Sequence, residues 1–403
     1  MDEEISPPSS GGEAGYSYPM TPITDNAALV AFCQKLQSAP FIAVDTEFMR
    51  ETTYWPLLCL IQVAGPDDAA CIDPLAEGLD LAPLLKLLGD EAIVKVFHAC
   101  RQDVEIFNNL GQIPTPLFDT QVAGMAAGYG DQIAYDALVR QMLKIEVDKS
   151  SRFTDWSRRP LSENQLVYAL GDVTHLAKLY PKLKDRLEKE GRLSWVAEEM
   201  KALSNPATYD VDPEKAWKRL KPRKFTPKYL AVFKGVAAWR ERTAQERDQP
   251  RGRILKDEAM DEIATQAPTD ADGLNRLRSV PKGFAGSKFG PDLIEAIRAA
   301  LKDPEAYAPV IERGPAPAQN QGAIVELLKV LLKARSEDAG VASKLIATVS
   351  DLEKIASDDK AAVEALTGWR KELFGADALR LKRGELALVL DGARVKVVET
   401  AGS

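Results

Sequence analysis

Phe41–Phe48, FIAVDTEF, is a run of strand-forming apolar residues closed by two acids. Phe41 to Val44 has no polar side chain, as in a buried strand. Side chains alternate along a strand, so Asp45 and Glu47 point to one face, two residues apart. Carboxylates fixed side by side repel each other and cost stability unless a cation lies between them. Hard divalent ions take oxygen ligands, so the pair has the chemistry of half a metal site. Alone, the pattern also fits a strand end with two solvated acids.

Two later segments add to it. Ile93–Phe97, IVKVF, is a second strand-like run, and Asp103 opens DVEIFNNLG, whose Val104, Ile106 and Phe107 predict a helix stopping near Gly111. Asp103 is thereby expected at a strand-to-helix turn, beside the C-terminal end of a strand, where open α/β sheets hold their ligands. In Leu161–Leu183, LSENQLVYALGDVTHLAKLYPKL, Ser162 and Gln165 have N-cap spacing. Leu166, Ala169, Leu170, Val173, Leu176 and Leu179 or Tyr180 form a helical stripe behind them. Tyr168 and Asp172 are four residues apart, so they lie on one helical face, one turn from each other.

DTEF after a strand, HACRQD after a strand and YALGD on a helix, in that order, resemble the DEDD superfamily of 3′-5′ exonucleases, in the branch with tyrosine in its third motif. The wording DTEFMRETTYWPLLCLIQ, HACRQDVEIF, FDTQVA, VDKSSRFTDWSRRPLSENQ and YALGDV is similar to the ribonuclease D family over residues 22–205. The resemblance implies a ribonuclease-H-like α/β domain, a mixed sheet flanked by helices. It implies a metal-dependent 3′-5′ exoribonuclease that releases 5′-nucleoside monophosphates from RNA, with tRNA precursors the family-typical substrate. It also implies two divalent ions, Mg2+ or Mn2+: Asp45 bridging, Glu47 and Asp172 completing one ion, and Asp103 holding the other partly through water. Tyr168 would orient the attacking water, because a phenol with an ordinary pKa of about 10 is protonated at neutral pH.

The sister branch carries a histidine five residues before its last aspartate, where this chain has Val167. His98 stands five before Asp103, but a histidine-branch reading would leave YALGD unexplained. His98 is therefore expected as a structural or hydrogen-bonding neighbour of the substrate site. Thr46, Phe48, Met49 and Gln62 are the other expected substrate contacts, Phe48 and Met49 either wedging against terminal bases or filling the core. Arg50, Lys149, Arg158 and Arg159 are candidates for phosphate or ribose, and Trp156 for packing.

The 403 residues are 45% hydrophobic, enough for two or three cores. No stretch reaches the roughly 18 apolar residues of a membrane span, and residues 1–20 read as an acidic Pro/Ser/Gly-rich disordered tail. Cys33, Cys59, Cys71 and Cys100 lack zinc-ligand spacing, which suits reduced thiols in a cytoplasm. A net charge of −8 opposes general nucleic-acid binding, although Lys215–Lys224, KAWKRLKPRK, holds six basic residues and Trp217. That run fits either an RNA backbone or a solvated linker.

A Pro-containing break, SNPATYDVDPE, leads into helical patterns at residues 229–247, 254–266, 271–280 and 292–301. The stretch AVFKGVAAWRERTAQERDQPRGRILKDEAMDEIATQAP resembles the HRDC domain, and it places such a domain at 212–305 with a linker at 306–322. GFAGSKFGPD, Gly283–Asp292, then matches GWRKELFGAD, Gly368–Asp377, which predicts a second, diverged HRDC-like bundle at 323–400. LALVL and RVKVV are expected to pair around Asp391-Gly392. The resulting architecture is an exonuclease domain at 21–205 followed by two all-α HRDC-type bundles, in a monomer that binds RNA and no membrane. A DNA exonuclease of the same superfamily and a non-catalytic nucleic-acid-binding module are the alternatives.

Overall fold

A computed structural model describes residues 18–311 and 321–400, so most of the expected N-terminal tail and of the 306–322 linker lies outside the described residues. After the N-terminal helix α1 (Asn26–Leu36), the strands β1 (Phe41–Met49), β2 (Leu57–Ala64), β3 (Ala69–Ile72), β4 (Val94–Phe97) and β5 (Leu117–Asp119) form one mixed sheet. Its order is β3-β2-β1-β4-β5, antiparallel on the β2 side of β1 and parallel on the β4 side. The helix α2 (Ala82–Leu88) precedes β4, and α3 (Arg101–Asn109) follows it.

One register fact creates the site. β1 pairs with β4 only through Phe41, Ile42 and Ala43, and β4 stops at Phe97. Asp45 and Glu47 lie farther along β1, where β2 is its only neighbour and the other edge is open. The chain leaving β4 turns at Ala99, whose φ is 59°, and enters α3 with Asp103 in its first turn. Asp119, at the end of β5 and only 2% exposed, fixes that turn by accepting hydrogen bonds from the backbone N–H groups of Ala99 (3.0 Å) and Cys100 (2.8 Å). The FDTQVA segment thus has a structural job beside the acids.

Next come α4 (Thr120–Ala126), α5 (Tyr135–Leu143), the long α6 (Glu163–Lys189) and α7 (Leu193–Leu203). Ser162 and Gln165 form the capping box their spacing suggests, and the whole predicted stripe of α6 is buried. That stripe packs α6 across β1, β2 and β3.

The second unit holds α8 (Pro227–Glu246), α9 (Arg251–Ile254), α10 (Asp257–Gln266), α11 (Ala271–Asn275), α12 (Gly290–Lys302) and α13 (Pro304–Tyr307), around a core of its own. The helix expected over 254–266 is broken at the extended Leu255, and the one over 271–280 is cut to a single turn. Lys215–Lys224 begins in a 3-10 turn, Pro213–Arg219, and Trp217 packs against this core. The β1–β2 loop of the first unit reaches it: Trp55 packs against it, and Tyr54 is 5% exposed within it, its hydroxyl donating to Glu241. Asp248 accepts from the backbone N–H groups of Tyr54 and Trp55, both at 2.9 Å.

The third unit comprises α14 (Gln321–Ala339), α15 (Ser343–Ile346), α16 (Val349–Ser357), α17 (Gly368–Arg370), α18 (Ala376–Lys382) and the hairpin β6 (Leu386–Asp391) with β7 (Arg394–Glu399). The hairpin turns at Gly392, as the sequence suggests. The separate bundle expected here has no separate core. Leu328, Leu331, Ile355 and Phe374 belong to the same buried cluster as the sheet. Trp369 stacks on Trp195 of α7, with centroids 4.1 Å apart and planes 7° apart, and Arg370 pairs with Glu198 and Glu199. The two Phe-Gly positions of the sequence repeat share a steric reason for glycine: a Cβ at Gly290 or Gly375 would lie 2.1 Å from the carbonyl oxygen of Ala285 or Ala365. Among the described residues, no helix is long and apolar enough to cross a membrane.

Candidate active site

Asp45 and Glu47 from β1 meet Asp172 from α6, with one carboxylate oxygen of each lying within 4.8 Å of the others. Between the two acids of β1, the Thr46 hydroxyl donates to Asp103 Oδ1 at 2.5 Å. Three of the four expected acids are therefore brought into one group. The fourth is held beside them, close enough for Asp45 to raise its pKa.

Burial is the main cause that lifts these carboxyls above their ordinary range. It takes Asp45 up to about 6, against a backbone hydrogen bond from Thr46 that lowers it. Burial, followed by the charges of Asp45, Asp172 and Asp103, takes Glu47 to about 10. Asp172 and Asp103 also rise well above the usual range, through burial first and the charge of Asp45 second. Carboxylates this crowded need positive charge to ionise together. The donor set is all oxygen and anionic, which fits a hard divalent cation rather than zinc or copper.

Tyr168 lies one turn before Asp172, near enough for each to shift the other's pKa. Burial and the surrounding carboxylates push its phenol above its ordinary value, so the hydroxyl stays protonated across the neutral range. Trp156, 2% exposed, packs 6.0 Å from the Tyr168 ring and does the packing expected of it. Asp45, Asp172 and Tyr168 line a cavity of about 380 Å³ together with His98, Tyr135, Lys149 and Arg152.

The other expected contacts divide. His98 is fully engaged within the protein, with Nδ1 3.0 Å from Thr120 Oγ1 and Nε2 3.1 Å from the carbonyl oxygen of Ile133. Burial lowers its pKa, so the ring is neutral. Gln62 pairs with Asp45 across β1 and β2 and is 0% exposed, with both its amide nitrogen and its amide oxygen buried without a hydrogen-bond partner. Phe48 and Met49 are half-buried against the core. Arg50 makes a bidentate pair with Glu105 (2.7 and 2.9 Å), and Arg159 one with Asp73 (2.6 and 2.7 Å), so both serve the fold. Lys149 lines the cavity and pairs with Asp136 at 2.7 Å, while Arg158 pairs with Asp155 away from the cavity lining.

Among the cavity residues that escaped the sequence reading, two bear on the acids. Tyr135 donates its hydroxyl to the main-chain oxygen of Asp172, fixing the turn that carries the acid. Arg152 lies near enough to Glu47 and Asp172 to oppose the rise in their pKa values. Its position inside VDKSSRFTDW was a signal, but nothing there separates it from Arg158 or Arg159.

Residues 20–188 match the family described as 3′-5′ exonuclease, and residues 229–297 match the HRDC domain. The second helical bundle is not matched as an HRDC domain, so what is matched is one exonuclease domain and one HRDC domain. Ribonuclease D of Nitrobacter hamburgensis is 54% identical, covering 94% of this chain and 99% of that protein. Ribonuclease D of Granulibacter bethesdensis is 51% identical, covering 94% and 97%. The crystal structure of Escherichia coli RNase D, described as an exoribonuclease involved in structured RNA processing, superposes with a TM-score of 0.79 at 29% identity, over 91% of this chain and 99% of that one.

Proposed function

This chain belongs to the ribonuclease D family and is a 3′-5′ exoribonuclease, and we propose that it trims the 3′ ends of tRNA precursors and other structured RNAs, releasing 5′-nucleoside monophosphates. The observation that carries this reading is the convergence of Asp45, Glu47 and Asp172 in one group, two of whose members, Asp45 and Asp172, line a cavity together with Tyr168.

In the proposed mechanism Asp45, Glu47, Asp103 and Asp172 hold two divalent ions, Mg2+ or Mn2+. When bound, such ions stabilise the attacking and leaving oxygens of an in-line displacement at phosphorus. The protein's own groups do the rest. Tyr168, protonated, orients the attacking water rather than taking its proton. Thr46 fixes the rotamer of Asp103, and Tyr135 fixes the turn bearing Asp172. Arg152 and Lys149 put positive charge on the cavity wall, where the scissile phosphate must approach the acids. Phe48 and Met49 remain candidates for contact with terminal bases.

The proposed domain limits are 21–205 for the exonuclease, 212–305 for the HRDC domain and 323–400 for a diverged second HRDC-like domain. The helical domains bind RNA and line its access path, in a cytoplasmic monomer with reduced thiols. The four described cysteines are free and buried, which fits a reducing compartment.

The test is digestion of a 5′-labelled tRNA precursor carrying a 3′ trailer. Stepwise shortening from the 3′ end with Mg2+ or Mn2+ is expected, abolished by chelation and by Asp45→Ala. Label that stays intact with both metals would overturn the reading. A matched DNA copy digested equally fast would replace RNA by nucleic acid in general.

A further inference from the structure

Phe153 is 91% exposed, the most exposed large hydrophobic side chain among the described residues. A solitary exposed apolar residue is ordinary on a protein surface. This one is not on a loosely held loop. Ser151 and Trp156, either side of it, are 4% and 2% exposed. The turn is closed by the backbone N–H of Arg152 donating to the Lys149 carbonyl (3.2 Å), and by Thr154 donating to the Ser151 carbonyl through its N–H (3.2 Å) and its hydroxyl (2.8 Å). It is tied to its surroundings by the Lys149–Asp136 ion pair at 2.7 Å and by Gln165 Nε2 donating to Thr154 Oγ1 at 3.1 Å. A segment anchored this thoroughly holds one phenyl ring out in water.

The ring's position gives the reason. Arg152 reaches into the cavity that Asp45, Tyr168 and Asp172 line, and its guanidinium carbon lies 5.2 Å from the centroid of the Phe153 ring. The ring thus stands beside a cation that lines the acidic cavity, next to that lining rather than within it. The cavity, about 380 Å³, lies at the small end of ligand pockets, so it holds little more than the nucleotide being removed. The strand upstream of that nucleotide must leave across the rim. Bases stack on aromatic side chains with little regard to sequence, and an arginine beside the ring supplies charge for the adjoining phosphate.

We propose that Phe153 is a stacking platform for a base of the RNA strand just upstream of the nucleotide being removed, with Arg152 beside it as the phosphate contact. The proposal rests on the exoribonuclease reading and identifies how that site grips single-stranded 3′ ends of any sequence.

The test separates the two. Binding of a fluorescein-labelled single-stranded RNA is measured by anisotropy with Ca2+ in place of Mg2+, for the full chain and for Phe153→Ala and Phe153→Trp. Loss of one stacked base predicts Kd higher by about 5- to 100-fold for Phe153→Ala, with wild-type affinity kept by Phe153→Trp. In turnover with Mg2+ the same change appears in KM and leaves kcat within about twofold, a split that a merely structural role would not give. Abasic sites placed one at a time near the 3′ end should remove the difference between wild type and Phe153→Ala at one position. A Kd for Phe153→Ala within twofold of wild type, or an effect on self-association in place of RNA affinity, would overturn the proposal. The exoribonuclease reading would survive that result, because it stands or falls on nucleotide release by the wild-type protein.

Discussion

Tyr168 and His98 look alike from the sequence, each an aromatic near an acid, and their surroundings separate them. Both ring nitrogens of His98 are already committed to Thr120 and Ile133, while the Tyr168 phenol faces the acids and stays protonated. Tyr168→Phe should lower kcat by about 100-fold or more with KM little changed, and His98→Phe should act mainly on stability. Steady-state kinetics beside a melting curve distinguish these outcomes. The acids give a second prediction. Their folded-state pKa values are raised, so the folded protein binds more protons than the unfolded chain at intermediate pH. Without metal, stability is therefore full below the ordinary carboxylate value near 4 and is lost as pH rises, through about 6 for Asp45 and on toward about 10 for Glu47. Melting in a chelator should show Tm falling from pH 5 to pH 8, and Asp45→Asn should flatten that fall. Adding Mg2+ should raise Tm more at pH 8 than at pH 5.

Among the elements, β1, α3 and α6 were legible because each announces itself locally. FIAV has only strand formers, DVEIF has helical apolar spacing, and Ser162 with Gln165 caps α6 as written. Where helix α9–α10 breaks at Leu255 there is no proline or glycine to show it, so periodicity ran through the break. Nor does any local rule say that β4 pairs with only three residues of β1, although that shortfall opens the edge beside Asp45. Thr46 illustrates the element scale best, since it lies between Asp45 and Glu47 on β1 and its hydroxyl holds Asp103 on another element. Thr46→Val should keep the strand and free that carboxylate. The expected result is a weaker half-saturation by Mg2+, several-fold or more, with Tm changed by no more than a few degrees, read from nucleotide release across a metal titration.

Across the whole molecule, the three units are coupled in different ways. The HRDC unit keeps its own core and takes hold of the β1–β2 loop through Tyr54, Glu241 and Asp248, a few residues beyond Glu47. The C-terminal unit instead merges its core with that of the exonuclease sheet. Trp369→Ala removes a buried ring stacked on Trp195 and should cost about 3–5 kcal/mol. Because the core is shared, calorimetry should show the exonuclease transition itself moving to lower temperature. A separate, lower transition that left the exonuclease melting unchanged would contradict the shared core.

The sequence by itself determined which residues are the candidates for the chemistry. Strand alternation and helical spacing are short-range properties, and the acids, Tyr168 and the capping box are written in them. What only the tertiary structure decided was company: Thr46 with Asp103, Tyr135 with Asp172, Arg152 on the cavity lining with Phe153 next to it, Gln62 sealed away, and the C-terminal helices joined to the exonuclease core. Those pairings join residues far apart in the chain, and burial and partner choice depend on packing that no local pattern encodes.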